Sequence, residues 1–408
     1  MGDVVTVRIG PQRLYLVSHP ELVRDVLVRH ARSFMKGRSL QEAKRVLGNG
    51  LLTSEGEPHL GQRRLIQPLF HQERVAGFAT EMVSAAERLS ERWRDGAEVE
   101  MVADMTELML AIVGRTLFDA DVERDARDVG AALTVALEAF DRFMVPGAGL
   151  LERLPLPSTR RFQSAQRDLD AIIERMIDER LADPGRHGDL LTMLLEAREE
   201  DGSGGMSRTQ IRDEAMTILL AGHETTAQAL SWTWFLLSEN PEAEARLHEE
   251  LDRVLGGRPP SAGDAERLPF TRAVAAESMR LYPPAWSIAR RALTDLELGG
   301  YRITRRSIVV TSPWIVHRDE RWFPEPERFR PERWLDGDPD RPRSAYFPFG
   351  GGTRICIGER FAWTEAVLVL ATLAAQWRAT LVPGHPVEPL PRITLRPRHG
   401  LKMVLQAR

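Results

Sequence analysis

A chain of 408 residues that is 43% hydrophobic and 28% charged has the make-up of a folded globular protein, which excludes a disordered or fibrous one. Its net charge of −4 gives no footing for nucleic acid, and its single cysteine excludes an internal disulfide or a cysteine-only metal cluster, in keeping with a reducing cytoplasm. No signal peptide opens the chain, and its longest uncharged apolar stretch, Thr225 to Ser238, is too short to span a bilayer.

In chain order, "VVTVRI" (4–9) and "LYLVS" (14–18) read as short strands. "PELVRDVLVRHARSF" (20–34) opens on a proline and keeps apolar residues at helical spacing. "GEPHLGQRRLIQPLF" (56–70) puts His59 and Arg63 four apart, on one helix face. From Glu73 to Arg198 the spacing is helical almost throughout, with breaks at 145–157 and 183–189. Residues 207–241 predict one unusually long helix, capped by Ser207 and stopped by Asn240-Pro241, roughly 50 Å in length. Inside it, "AGHETT" (221–226) sets a glycine, two charged or titratable groups and two threonines among apolar residues. Glycine costs about 1 kcal/mol there relative to alanine, so a local rule is broken. The bland explanation is a solvated face with Thr225 bonded back to a carbonyl.

Helices follow at 241–255 and 264–282. The second carries Glu277 and Arg280 three apart on one face, which alone would be a routine surface ion pair. "PPAWSIARRAL" (283–293) offers Arg290, with Arg291 as its competitor. A strand-rich patch spans 295–312, a proline-rich meander 323–345, a last helix Glu359–Trp377, and "PRITLRPRHGLKMVLQ" ends the chain as paired strands. The sum is a mostly α-helical chain with small β-sheets, read as one domain over 1–408.

The turn "FPFGGGTRICIGER" (347–360) holds Cys356, the only cysteine. A thiolate is a soft metal ligand and needs help to stay deprotonated. Backbone N–H groups can give that help where side chains are missing, as at Gly350, Gly351, Gly352 and Gly358, and the helix opening at Glu359 points its positive end the same way. A lone cysteine in a loop is otherwise a small buried hydrophobe.

The spacing Phe349-Gly350-x-Gly352-x-Arg354-x-Cys356-x-Gly358 resembles the haem-ligand signature of the cytochrome P-450 family. The resemblance implies that family's fold, with haem b (iron protoporphyrin IX) between the long helix and the cysteine-turn helix. It implies Cys356 as axial thiolate, a ligand type that favours O–O cleavage. Phe349 would pack near ring and sulfur, and Arg354 would hold a propionate. "AGHETT" resembles the oxygen-activation motif, with Glu224 and Thr225 as an acid–alcohol pair for proton delivery and Ala221 and Gly222 leaving room for dioxygen and ring. His223 is not expected to be a ligand. His59, Arg63 and Arg290 resemble propionate contacts, and many members carry tryptophan where His59 stands. Glu277 and Arg280 would join an arginine of "PERFRPERW", Arg333 favoured and Arg328 the alternative, in a buried structural network.

The resemblance runs along nearly the whole chain and departs at the front, where members usually carry an extra proline-rich segment and a helix. It implies a cytoplasmic, monomeric monooxygenase that inserts one oxygen atom of O2 into an apolar, lipid-like or terpenoid substrate. With no iron–sulfur cysteines, and with "GAGLLE" (147–152) a poor dinucleotide-binding turn, electrons would come from a ferredoxin- or flavodoxin-type donor. Arg63, Arg64, Arg74 and Arg360 would meet its acidic face. Expected pocket walls are 36–52, 143–152, 216–225, 283–290 and 388–395, with Phe143, Met144, Leu219, Trp286 and Ile393. The competing readings are a peroxide-using or isomerising haem-thiolate enzyme, against which the Glu224–Thr225 pair argues, a haem sensor or carrier, and a protein without haem.

Overall fold

The computed structural model describes residues 2–119, 130, 132, 135, 156–183, 189–196, 205–335 and 337–408. The breaks expected at 145–157 and 183–189, "GAGLLE", Phe143 and Met144 fall wholly or mainly outside these residues.

Strands β1 (Val4–Ile9) and β2 (Gln12–Val17) pair as a hairpin, as their alternation predicts. The helix expected over 20–34 is shorter. Helix α1 (Pro20–Arg24) runs into a wider turn of π type (Asp25–Arg29) and a 3-10 turn, and Phe34 already begins β3 (Phe34–Lys36). Phe34 pairs with Ala292 of β5 (Ile288–Ala292), a partner that local spacing does not reveal. Helices α2 (Arg38–Leu47), α3 (Gly56–Ile66), α4 (Gln72–Gly77) and α5 (Ala79–Arg92) follow. Strand β4 (Glu98–Glu100) interrupts the stretch expected to be helical, before α6 (Met101–Phe118). Beyond lie α7 (Pro157–Ala182) and α8 (Leu190–Glu196).

The long helix is α9 (Arg208–Ser238), 31 residues and roughly 46 Å. Ser207 and Gln210 close a reciprocal capping box at its start, and α10 (Pro241–Leu255) begins at the proline that ends it. Helix α11 (Pro269–Leu281) carries Glu277 and Arg280. Strands β6 (Leu296–Leu298), β7 (Tyr301–Ile303) and β8 (Ile308–Thr311) and the short α12 (Pro313–Val316) lead into the meander. Helix α13 (Glu359–Ala374) ends before Trp377, which opens β9 (Trp377–Leu381) and not the last turn of a helix. Of the terminal strands, β10 (Pro389–Pro391) pairs with β11 (Leu395–Pro397). The last strand, β12 (Lys402–Ala407), instead joins β4 and β9.

A five-stranded sheet in the order β1-β2-β8-β5-β3 stands at one side, with a small core of its own around Val17, Val26, Phe34, Val309 and Phe347. The main core is helical. Helix α9 threads it, packed along α6 and against α11 and α13. Because α9 is buried nearly all round, it behaves as a core helix and not an amphipathic surface one. No helix of the described residues is long and apolar enough to cross a membrane.

Candidate active site

The cysteine turn joins the proline-rich meander to α13. The Cys356 N–H donates to the Phe349 carbonyl at 2.9 Å, closing the loop. Gly350 (φ +76°) and Gly352 (φ +68°) adopt the left-handed conformation. A Cβ on Gly352 would also lie 2.1 Å from the Leu27 carbonyl oxygen, so no other residue fits. Phe349 packs tilted on Trp363, ring centroids 5.7 Å apart. Gly358 is the N-cap of α13 and aims its N–H at the sulfur.

Protein encloses Cys356 closely, yet the side chain keeps open area because it fronts a cavity of about 340 Å³. Burial pushes the thiol up to about 11, against the pull of the Gly358 N–H and of Arg63. The Gly358 N–H and Arg63 thus both favour the thiolate, with burial opposing them. A coordinated metal cation deprotonates a thiol outright. Among the described residues no cluster of three His, Cys, Asp or Glu could hold a metal instead.

Beside the turn lies a buried cluster of positive charge. Arg354 donates to the Phe34 carbonyl at 3.0 Å and pairs with Glu55 at 2.6 Å. Arg290 points inward from β5, buried, while Arg291 is half-buried, so strand alternation separates the two competitors. The only hydrogen bond of the Arg290 side chain among the described residues goes to its neighbour's carbonyl. Burial and Arg354 bring its pKa down to about 10. Lys36, which sequence reasoning missed, is 4% exposed and donates Nζ to the Leu51 and Ser54 carbonyls at 2.8 and 2.7 Å. Burial lowers its pKa to about 7.

His59 sits within the field of Lys36, Arg354, Arg63 and Arg290. Burial first, then those charges, lowers it to about 4, so it serves as a neutral hydrogen-bonding group and not as a cation. Arg63 turns to the cysteine turn itself, donating to the Ile355 carbonyl at 2.7 Å. Glu55 is the one carboxylate bonded in this cluster among the described residues. Four cations against one bonded carboxylate leave the cluster short of anions, and burying such charge unpaired is costly. The two propionates of a haem match that deficit, and the lone thiol is a soft ligand of the kind its iron takes. The residues present fit the group.

On α9, Ala221, Gly222 and Thr225 are partly open in a helix otherwise closed on nearly every side. A Cβ on Gly222 would press to 3.1 Å from Val113 of α6. The Thr225 hydroxyl donates to the Ala221 carbonyl at 2.8 Å. Glu224 is buried and held by Thr394 and Arg396, both at 2.8 Å. His223 is buried and donates its Nδ1–H to the Leu219 carbonyl at 2.7 Å, and burial lowers its pKa. Nothing in the cysteine cavity's lining comes from α9.

At the centre of the next network Glu277 and Arg280 are fully buried, with Arg333 and Trp334 partly buried around them. Arg280 meets both Glu277 oxygens at 2.9 Å, and Arg333 donates Nε to Oε1 at 2.9 Å. Arg328 supplies only its carbonyl and pairs its side chain with Glu325 at the surface, so Arg333 completes the network. Trp334, unforeseen, donates Nε1 to Glu277 Oε2 at 2.9 Å. Its bulk and place after "PER" were the available signal.

Among the expected pocket residues, Leu219 is sealed into the core. Trp286 and Ile393 are partly buried, with the Trp286 Nε1 donating to the Arg392 carbonyl at 2.7 Å. Arg64, Arg74 and Arg360 are exposed, whereas Arg63 is committed inward. Arg360 and Arg63 both line the cysteine cavity.

The Cytochrome P450 family model matches residues 1–403. Cyclooctatin synthase of Streptomyces melanosporofaciens is 44% identical, over 97% of this chain and 86% of its own. Cyclooctat-9-en-7-ol 5-monooxygenase of the same organism is 39% identical, over 94% and 84%. Pentalenene oxygenase of Streptomyces avermitilis is 38% identical, over 100% and 91%. The crystal structure of the cytochrome P450DA heme domain superposes with a TM-score of 0.90 at 27% identity, over 100% of this chain and 90% of that one. With the thiol turn, the anion-poor cationic cluster and a match along almost its entire length, the chain belongs to the cytochrome P450 family: it is a haem-thiolate monooxygenase that uses O2 and electrons from a redox partner.

Proposed function

We propose that the chain, as one domain, hydroxylates a terpenoid with one oxygen atom of O2. The observation that carries the site is buried Lys36 and Arg290 with half-buried Arg354 beside the only thiol. Cys356 would ligate the iron of protoporphyrin IX, and Arg290, Arg354 and neutral His59 would hold its propionates. When bound, the haem supplies the activation of dioxygen. The protein's own part is to seat the sulfur against the Gly358 N–H and to keep Phe349 over Trp363. Ala221 and Gly222 leave room on α9. Thr225 holds a hydroxyl proton at Oγ1, and Glu224 exchanges protons with it from the neighbouring position. The named relatives act on cyclooctat-9-en-7-ol and pentalenene, which supports the terpenoid choice among apolar substrates.

Electrons would come from a ferredoxin- or flavodoxin-type protein docking at the exposed Arg64, Arg74 and Arg360, next to the cysteine cavity. We place the enzyme in the cytoplasm as a monomer. The reduced, CO-bound spectrum tests the haem ligand. The red-shifted thiolate band is expected in the parent and absent in Cys356→Ser, and a band that survives the substitution overturns the assignment. A panel of cyclic terpenes, read by the optical shift of the haem, tests the substrate class.

A further inference from the structure

We propose that Thr394 and Arg396, on the C-terminal hairpin, are positioning residues for proton delivery through Glu224, an inference that rests on the acid–alcohol reading of Glu224 and Thr225. Three donors converge on one oxygen of Glu224. The Thr394 hydroxyl and Arg396 Nη2 each reach Oε1 at 2.8 Å, and Gln228 Nε2 reaches it at 3.3 Å. Among the described residues none bonds Oε2, and Oε2 is not one of the sealed, unpartnered polar atoms.

The clamp is itself fastened. Thr394 immediately precedes β11 and Arg396 lies within it, and Arg396 Nε braces against Thr394 Oγ1 at 3.4 Å. Leu395 between them is tied at both backbone groups. Its carbonyl accepts from Trp232 Nε1 of α9 at 3.0 Å, and its N–H donates to the Pro284 carbonyl at 3.0 Å. The side chain of Arg396 is only 22% exposed, so its charge-assisted bond is poorly screened.

A carboxylate that relays protons works only while its exchanging oxygen is aimed. The clamp divides the labour between the two oxygens. Oε1 is pinned, and Oε2 takes a proton supplied by the bulk solvent through water and passes it to the Thr225 hydroxyl, which gives up its own proton onward; Glu224 returns to carboxylate and one solvent proton is used. The hairpin also carries Ile393, an expected pocket residue, in its turn, so the wall that would meet substrate and the group that aims Glu224 are one piece of chain.

The test uses the haem-loaded enzyme with its reductase. Arg396→Gln and Thr394→Val are expected to lower product formed per electron pair on the order of tenfold, the worth of one charge-assisted hydrogen bond, and to raise the solvent deuterium isotope effect. Arg396→Lys is expected to recover most of both. Apart from turnover, the infrared carboxylate band that vanishes in Glu224→Gln is expected to shift in Arg396→Gln. Parent-like coupling and isotope effect in Arg396→Gln and Thr394→Val, with Glu224→Gln uncoupled, overturn the clamp and leave the acid–alcohol reading standing. Full coupling in Glu224→Gln overturns both. Should Arg396→Gln not fold, Thr394→Val and Arg396→Lys decide the question by the same readouts.

Discussion

At the scale of single residues, burial decides chemistry that residue type leaves open. His59 looks basic in the sequence, and burial, helped by four neighbouring cationic side chains, keeps it neutral. Glu365, on α13, is the converse case. It is fully buried, and neither carboxyl oxygen has a partner at hydrogen-bond distance, while the nearby Thr226 offsets burial only in small part. Its pKa rises from 4.5 to about 8. Between those values the folded protein binds a proton that the unfolded chain has released, so the contribution of Glu365 to stability is full below about pH 4.5 and is lost as pH rises through 8. Glu365→Gln is therefore expected to flatten the decline in melting temperature between pH 5 and 9. A parallel pair of melting curves for parent and variant would contradict the protonated carboxyl.

At the scale of elements, local signals and distant ones part company. The start of α9 was legible because Ser207 and Gln210 cap it within four residues. The glycines of the cysteine turn were legible for the same reason, since a positive φ is a local demand. Their deeper cause was not, because the Leu27 carbonyl that forbids a Cβ at Gly352 comes from the far end of the chain. Gly352→Ala is expected to cost at least about 1–3 kcal/mol from backbone strain alone, with the contact added. The measure is denaturant unfolding together with haem content per chain, and a parent-like pair of values would show the turn to be more forgiving than its geometry. The overlong helix expected over 20–34 and the strand opening at Trp377 have one explanation. Phe34 and Trp377 each pair with strands far off in sequence, and that pairing overrides helical spacing.

At the scale of the whole molecule, the cationic residues divide into two populations. Lys36, Arg290 and Arg354 point inward to the anion-poor cluster, while Arg64, Arg74 and Arg360 stay at the surface, Arg360 at the cysteine cavity. Surface charges separated from a partner by water are screened by salt, so raising ionic strength is expected to slow reduction of the haem by an acidic donor. A stopped-flow rate that does not change with salt would remove this face as the docking site.

The sequence by itself determined the family's short patterns: one thiol in a glycine turn, adjacent Glu224 and Thr225 in an overlong helix, and a Glu-x-x-Arg helix. These are short patterns whose members lie within ten residues of one another, where backbone geometry alone restricts the choice. Only the tertiary structure decided which arginine serves which carboxylate. Arg333 over Arg328, Glu55 on Arg354 across 299 residues and Thr394 on Glu224 across 170 are settled by packing. A guanidinium or hydroxyl carries no mark of its partner in the chain, and the pairing exists only once burial has brought the two together and made leaving either one alone costly.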